Sequence, residues 1–342
     1  MTVLVVSPNW LGDAVMALPA VADIRRHAAT TRLVVAARAG VAGLWTMVGG
    51  VDEVVIIPRP RGASRWRTIG SIAAALRGTG ADTIVLLPNS LQSALAAWRS
   101  GVPQRWGYRR NARRWLLTRA VRVPRGLVHQ ADYYRRLVAE LGIANGDRVP
   151  RLDVPAAIID AARDRLTEAG WTPGARLVGI APGAAYGGAK RWPPERFAAV
   201  AAELARAHGV QPVLLGAEAD RAFACTIEAE LDKIGHSGTL PRALNLAGRT
   251  DIPQLAGALT LCAAFVSNDS GAMHLAAAVG TPVAALFGPT DERVTAPVAS
   301  RARVLTAGAW CRPCLLRECP LDHRCMNGID AGTAARAAGE LL

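Results

Sequence analysis

The sequence predicts an α/β protein built from two Rossmann-like, doubly wound domains that face each other across a cleft. Three observations lead there. Short apolar, β-branched runs alternate with segments of helical length, the pattern of parallel strands covered on both faces. The alternation breaks near residue 150, in a stretch of linker composition, and then restarts. The chain has 342 residues and 51% hydrophobic content, enough for two cores.

In chain order, the strand candidates of the first half are 2–8 (TVLVVSP), 32–38 (RLVVAAR), 52–58 (DEVVIIP) and 82–88 (DTIVLLP). Between them lie helix candidates 13–28, 40–47 and 66–77, so the order reads as βαβ units. Segment 105–125 breaks the pattern, being Arg-rich and Trp-spiked. A helix is expected at about 130–142, followed by the Gly, Asn, Asp and Pro of NGDRVPRLDVP. Strand candidates then resume at 177–182, 211–217, 263–268 and 282–288, with helices at 157–169, 193–208, 219–231, 251–262 and 270–280. The predicted domains are therefore 1–155 and 156–342. Open α/β sheets bind ligands beyond the carboxyl ends of their strands, which places candidate sites in the loops there.

The net charge of +13 is unevenly distributed: residues 1–150 hold 21 Arg, no Lys and 8 acidic residues, whereas 151–342 are neutral overall. A basic first half suits an anionic partner or surface. The first strand lacks a basic leader, and no apolar run is long enough to span a bilayer, so a cytoplasmic location is expected. Cys225 and Cys262 stand apart, and Cys311, Cys314, Cys319 and Cys325 cluster around His323. This does not read as a disulfide framework. The C-x2-C-x4-C-x5-C spacing leaves open both zinc and reduced thiols packing a compact loop.

Four loops carry candidate chemistry. The turn Asn9-Trp10-Leu11-Gly12-Asp13 follows the first strand. There Gly12 lets backbone approach a ligand, and Asp13 either accepts a proton from a hydroxyl or caps the helix. The second is PGAAYGGAKRWPP, 182–194, a glycine-rich loop between strand and helix whose amides and Lys190 suit a diphosphate. Lys190 is one of two lysines among 40 basic residues, which suggests a wanted ammonium or a chance survival. The third is SNDSGAMH, 267–274. Asp269 has N-cap chemistry, the amides of Ser270, Gly271 and Ala272 form an anion seat, and His274 lies one turn in, as a ligand contact or a structural group. Glu218 ends a strand, where it can grip ribose hydroxyls or cap the next helix.

The arginine-tryptophan segments, Arg59 to Arg67 and Arg105 to Arg125, suit phosphates, an anionic membrane, nucleic acid or plain solvent. No nucleic-acid module pattern appears. There is no dinucleotide G-x-G-x-x-G after a strand, no Walker A loop, no nucleophile elbow, and no Asp-x-Asp pair to hold magnesium against a diphosphate.

Together, VLVVSPNWLGDAVMALPAV, LLPNSLQSALAAWRSGVPQRWGYR, APGAAYGGAKRWP, VSNDSGAMHLAAAVGTPVAALFGPT and the C-P-L-x-H-x-C-M tail resemble the ADP-heptose:lipopolysaccharide heptosyltransferase family, especially its heptosyltransferase II branch. The resemblance covers nearly the whole chain. It implies a GT-B fold, inverting transfer of heptose from ADP-heptose to the first heptose of the lipopolysaccharide inner core, and no metal or cofactor. It puts the base at Asp13 and the donor contacts at Ala184, Ala185, Lys190, Glu218, Asp269, Ser270, Gly271 and His274. The alanines at 184 and 185 replace hydroxyl residues of heptosyltransferase I, so those two positions act through backbone only. Lys190 and the Ser270–Gly271 helix end would stabilise departing ADP.

On this reading the basic first domain holds an anionic Kdo- and heptose-bearing lipid A acceptor, with Asn9, Trp10, Gly12, Arg105 and Arg109 as candidate contacts. Domain closure would then exclude water. Peripheral contact with the cytoplasmic face of the inner membrane is expected, and nucleic acid is not. The alternatives are the same fold with another nucleotide sugar or acceptor, and a non-catalytic anion- or nucleic-acid-binding protein.

Overall fold

The computed structural model describes residues 1–60, 62, 64–235 and 240–342; Arg61, in the first arginine-tryptophan segment, lies outside them. The chain forms two compact units, Met1–Asp153 and Val154–Leu342.

The first unit has strands β1 (Thr2–Val6), β2 (Arg32–Ala37), β3 (Glu53–Ile56), β4 (Thr83–Leu86), β5 (Gln104–Tyr108) and β6 (Arg119–Val121). All are parallel, in the order β3-β2-β1-β4-β5-β6. Its helices are α1 (Leu11–Met16), α2 (Leu18–His27), α3 (Ala39–Trp45), α4 (Arg65–Gly78), α5 (Leu91–Arg99) and α6 (Gln130–Glu140). The expected single helix over 13–28 is two, with the junction at Ala17. Pro19 stands in the first turn of α2, where its missing amide costs nothing. Segment 105–125 is not a break in the sheet, since it supplies β5 and the edge strand β6.

The second unit has helices α7 (Ala156–Glu168), α8 (Pro194–His208), α9 (Arg221–Ile234), α10 (Ile252–Thr260), α11 (Gly271–Ala278), α12 (Glu292–Thr295), α13 (Arg324–Asn327) and α14 (Ala331–Gly339). Its strands are β7 (Leu177–Ala181), β8 (Gln211–Leu214), β9 (Leu244–Asn245), β10 (Cys262–Asn268), β11 (Val283–Phe287) and β12 (Ala302–Thr306). They are again parallel, in the order β12-β11-β10-β7-β8-β9. Counted within each unit, both sheets have strand order 3-2-1-4-5-6, the doubly wound arrangement with its switch point between first and fourth strands. The first unit switches between β1 and β4, the second between β7 and β10.

The central strands are apolar on both faces because helices cover both. In the first unit Leu4, Val6, Val34, Ile84 and Leu86 pack against Ile69, Ile72 and Leu76 of α4 and Ala94 and Ala97 of α5. Each buried branched side chain contributes about 1.5–3 kcal/mol. In the second unit Trp192 and Phe197 meet edge to face at 5.0 Å, and the Trp192 indole N–H donates to the Ile329 carbonyl at 3.2 Å. That anchors the end of the glycine-rich loop in the core.

Candidate functional site

In the second unit, the loops after β7 and β10 emerge side by side at the switch point. Asn268, fully buried at the end of β10, joins them: its amide donates to the Pro182 carbonyl at 2.7 Å and its oxygen accepts from the Trp192 amide at 3.3 Å. One side chain thus fixes both ends of the glycine-rich loop. Asp269 is buried, accepts from Lys190 Nζ at 2.5 Å and from the Thr290 hydroxyl at 2.6 Å. The ammonium also lies 4.8 Å from the centre of the Tyr186 ring. A buried carboxylate with a cation and a hydroxyl on it holds Lys190 in place at low dielectric.

The N-cap of α11 is Ser270 rather than Asp269: its hydroxyl accepts from the Met273 amide at 3.3 Å and lies 3.0 Å from the Ser267 hydroxyl. Asp269 is engaged with Lys190 and Thr290 instead. The amides of Gly271 and Ala272 fall in the first turn of α11, where a helix provides no acceptor of its own. His274, 5% exposed, lies inside the same helix. Ala184 is buried and Ala185 exposed in the glycine-rich loop. The amides of Gly183, Ala184 and Ala185 find no acceptor among the described residues. Together with the first turn of α11 they form a set of N–H donors suited to a diphosphate.

Glu218 does not end a strand. β8 stops at Leu214, and Glu218 opens a single 3-10 turn, largely exposed, 3.4 Å from Arg221. The carboxylate that does reach the loop is Asp220. It accepts from the Ala217 amide at 3.0 Å and fills the space beside Gly183, where a Cβ would come 2.2 Å from its Oδ2. Asn268, Asp220 and Thr290 were not singled out from the sequence. Asn268 meets partners 76 and 86 residues away and Thr290 one 21 residues away, and Asp220 reaches Gly183 across the fold, so no local spacing announces these roles.

In the first unit, Asp13 is half-buried in the first turn of α1. The N-cap position of that helix is held by Trp10, which makes no side-chain cap bond, and Asp13 stands as the acid of the first turn. Burial, and then the Asp13 charge, push the Tyr134 hydroxyl of α6 well above the usual phenol range. Ser7 shapes the turn by accepting from the Trp45 indole at 2.8 Å and donating to the Pro8 carbonyl at 2.9 Å. Asn9 Oδ1 accepts from Arg38 Nε at 2.9 Å, and Arg38 Nη1 is buried without a partner among the described residues. Burial, then the charge of Arg59, holds the Arg38 pKa below its usual value. Asn9, Arg38, Ser90, Gln92 and Ser93 line a recess at the switch point. Trp10 is half-exposed, and Gly12 occupies the second position of α1.

Arg105 and Arg109 separate. Arg109 is exposed just past the carboxyl end of β5. Arg105 sits near the amino end of the same strand and donates to the carbonyls of Leu116, Val102 and Pro103 at 2.9, 2.7 and 3.0 Å. Those bonds tie it to the backbone at the amino end of β5, away from the loops that follow the carboxyl ends of the strands. Arg113 is fully buried, donating to the carbonyls of Tyr108 and Pro88 at 2.8 and 2.5 Å, and burial lowers its pKa to about 10.

Among the described residues no group of three or more His, Cys, Asp or Glu is arranged to hold a metal ion, and no helix is long and apolar enough to cross a membrane. The four tail cysteines are free thiols, and burial with the neighbouring Cys311 raises the pKa of Cys325.

Residues 69–324 match the family model described as glycosyltransferase family 9 (heptosyltransferase). The chain is 31% identical over 314 residues to lipopolysaccharide heptosyltransferase 2 of Escherichia coli, covering 89% of this chain and 88% of that one. It is 30% identical to lipooligosaccharide heptosyltransferase 2 of Haemophilus ducreyi, over the same shares. The solved structure of Escherichia coli ADP-heptose lps heptosyltransferase II superposes with a TM-score of 0.82 at 26% identity, covering 100% of this chain and 98% of that one.

Proposed function

The chain belongs to glycosyltransferase family 9, the heptosyltransferases, and from that premise we propose that it transfers heptose from ADP-heptose to the first heptose of a lipopolysaccharide inner core. The observation that carries the donor half is the Lys190–Asp269–Thr290 cluster, set beside two groups of unclaimed amides at the switch point of the second sheet. Such a seat grips a nucleotide diphosphate by backbone N–H groups and one ammonium.

The mechanism is a single displacement with inversion. Asp13 takes or orients the proton of an acceptor hydroxyl, whose oxygen attacks the anomeric carbon as the bond to the diphosphate breaks. Lys190, the amides of Ala184 and Ala185 and the α11 terminus at Ser270–Gly271 hold the growing negative charge on ADP. His274 and Glu218 remain donor-side contacts in this reading, and no metal is required. Asn9, Trp10, Gly12 and Arg109 make the acceptor side, where an anionic core sugar meets positive charge. The exposed Trp66, Trp98 and Trp115, set among arginines, provide peripheral contact with an anionic membrane at its cytoplasmic face.

The test is purified enzyme with a panel of nucleotide sugars and truncated core acceptors, product mass as readout, with and without EDTA. Heptose addition from ADP-heptose only, unchanged by the chelator, is expected. Transfer from a different nucleotide sugar, or RNA binding without ADP binding, removes the proposal.

A further inference from the structure

The cysteine-bearing segment 310–323 is not a loose tail. It runs along the glycine-rich loop and the loop after β11 and bonds to each. On one side, the Tyr186 hydroxyl donates to the Leu315 carbonyl at 2.6 Å, the Ala189 amide to the Arg317 carbonyl at 2.9 Å, and the Gly188 amide to the Glu318 carboxylate at 3.0 Å. A Cβ on Gly187 would come 2.2 Å from the Arg317 carbonyl oxygen, so only glycine permits this approach. On the other side, the Leu315 amide donates to the Pro289 carbonyl at 2.9 Å and Arg312 Nε to the Gly288 carbonyl at 2.7 Å. Thr290, next in line, holds Asp269.

Leu315 is the bridge between the two loops. Its φ of 57° lies in the left-handed region, which a branched residue adopts at a cost. Its side chain is exposed, so burial does not account for that conformation. What the conformation achieves is one backbone bond to each loop. The consequence falls on Arg317, two residues on. Its guanidinium lies 5.4 Å from the centre of the Tyr186 ring, the ring that Lys190 approaches at 4.8 Å. Two cations thus gather on one aromatic ring. Lys190 is already paired with Asp269, whereas no carboxylate lies within ion-pair distance of Arg317 among the described residues. Glu318, the nearest acid in sequence, is taken up by the Gly188 amide.

We propose that Arg317 is a further donor-binding residue, delivered by the 310–323 strap, and that its guanidinium takes a diphosphate oxygen of the nucleotide donor beside Lys190. The inference rests on the donor reading above. It assigns the strap a function: to place a planar, permanently charged group beside Lys190, since the glycine-rich loop's own Arg191 is turned to Asp220 at 3.7 Å and to the Phe223 ring at 5.0 Å.

Calorimetric titration of the full-length protein with ADP and with adenosine tests this. Arg317→Gln weakens ADP about 10-fold or more, the loss of one charge-assisted contact, and leaves adenosine affinity and the melting temperature unchanged. Arg317→Lys retains most of the ADP affinity. A Gln variant that binds ADP like the wild type, or loses ADP and adenosine equally, overturns the proposal while leaving the donor site intact. Wild-type protein that fails to bind ADP at all overturns both this inference and the reading it rests on. Should the Gln variant melt early, the Lys variant decides: its ADP affinity falling as far as that of Gln means the arginine is structural.

Discussion

The two units share a topology and differ in what they do with charge. The first holds all of the net positive charge, yet many of its arginines are turned onto backbone carbonyls. Arg113 and Arg105 do this, Arg77 donates to the carbonyls of Ser100 and Arg99 at 3.0 and 2.8 Å, and Arg119 to that of Leu141 at 3.0 Å. The second unit is neutral overall, but it concentrates a buried ion pair, unclaimed amides and a tied loop at one switch point. Charge total therefore does not locate a site. Burial and partnership do: a cation whose acceptors are all carbonyls of its own fold is a structural clamp, and one held by a single buried carboxylate beside free amides is poised for a ligand.

Four substitutions would break or sharpen that contrast. The largest effect is expected from Asp13→Ala, the one acid placed in the basic unit's turn: kcat falls about 10²–10⁴-fold with ADP affinity unchanged, read by steady-state kinetics and calorimetry. Retained turnover would remove Asp13 from the role of base. Lys190→Met in the neutral unit lowers kcat/KM about 10²–10³-fold and, unlike the Asp13 change, weakens ADP as well. Equal ADP binding would mean that the ion pair with Asp269 is only structural. Arg113→Met costs about 2–3 kcal/mol of unfolding free energy in urea, since the Pro88 and Tyr108 carbonyls lose a charged donor. Arg109→Met, exposed and near in sequence, stays within about 0.5 kcal/mol of wild type and raises only the KM for acceptor. If Arg113 and Arg109 behaved alike, the division into clamps and contacts would fail.

Eight strands were legible in the sequence as apolar, β-branched runs: seven interior ones covered on both faces, and the edge strand β3, whose Val-Val-Ile run keeps the pattern without the burial. The other four were not. β5 and β6 carry Arg and Trp, β9 has two residues, and β12 is largely exposed, so none displays the run that marks a buried strand. The loops bearing Asp13, Lys190 and Ser270 were readable from glycines and caps at strand ends, all local signals. Which residue caps was not: Asp269 and Ser270 both have the chemistry, and the choice is set by Lys190, 79 residues away. Asn268, Asp220 and Arg317 depend wholly on tertiary neighbours. Arg105 and Arg109 fall at opposite ends of β5, a separation that a run of arginines does not announce.

Asn268 has a thermodynamic consequence. By bonding both flanks of the glycine-rich loop, it closes that segment into a ring before any nucleotide arrives. A ring of this kind has already lost most of its chain entropy during folding, and it does not have to collapse around its guest. Nucleotide binding should then carry only the modest heat-capacity change of burying the ligand's own apolar surface, without the larger one that accompanies ordering a segment.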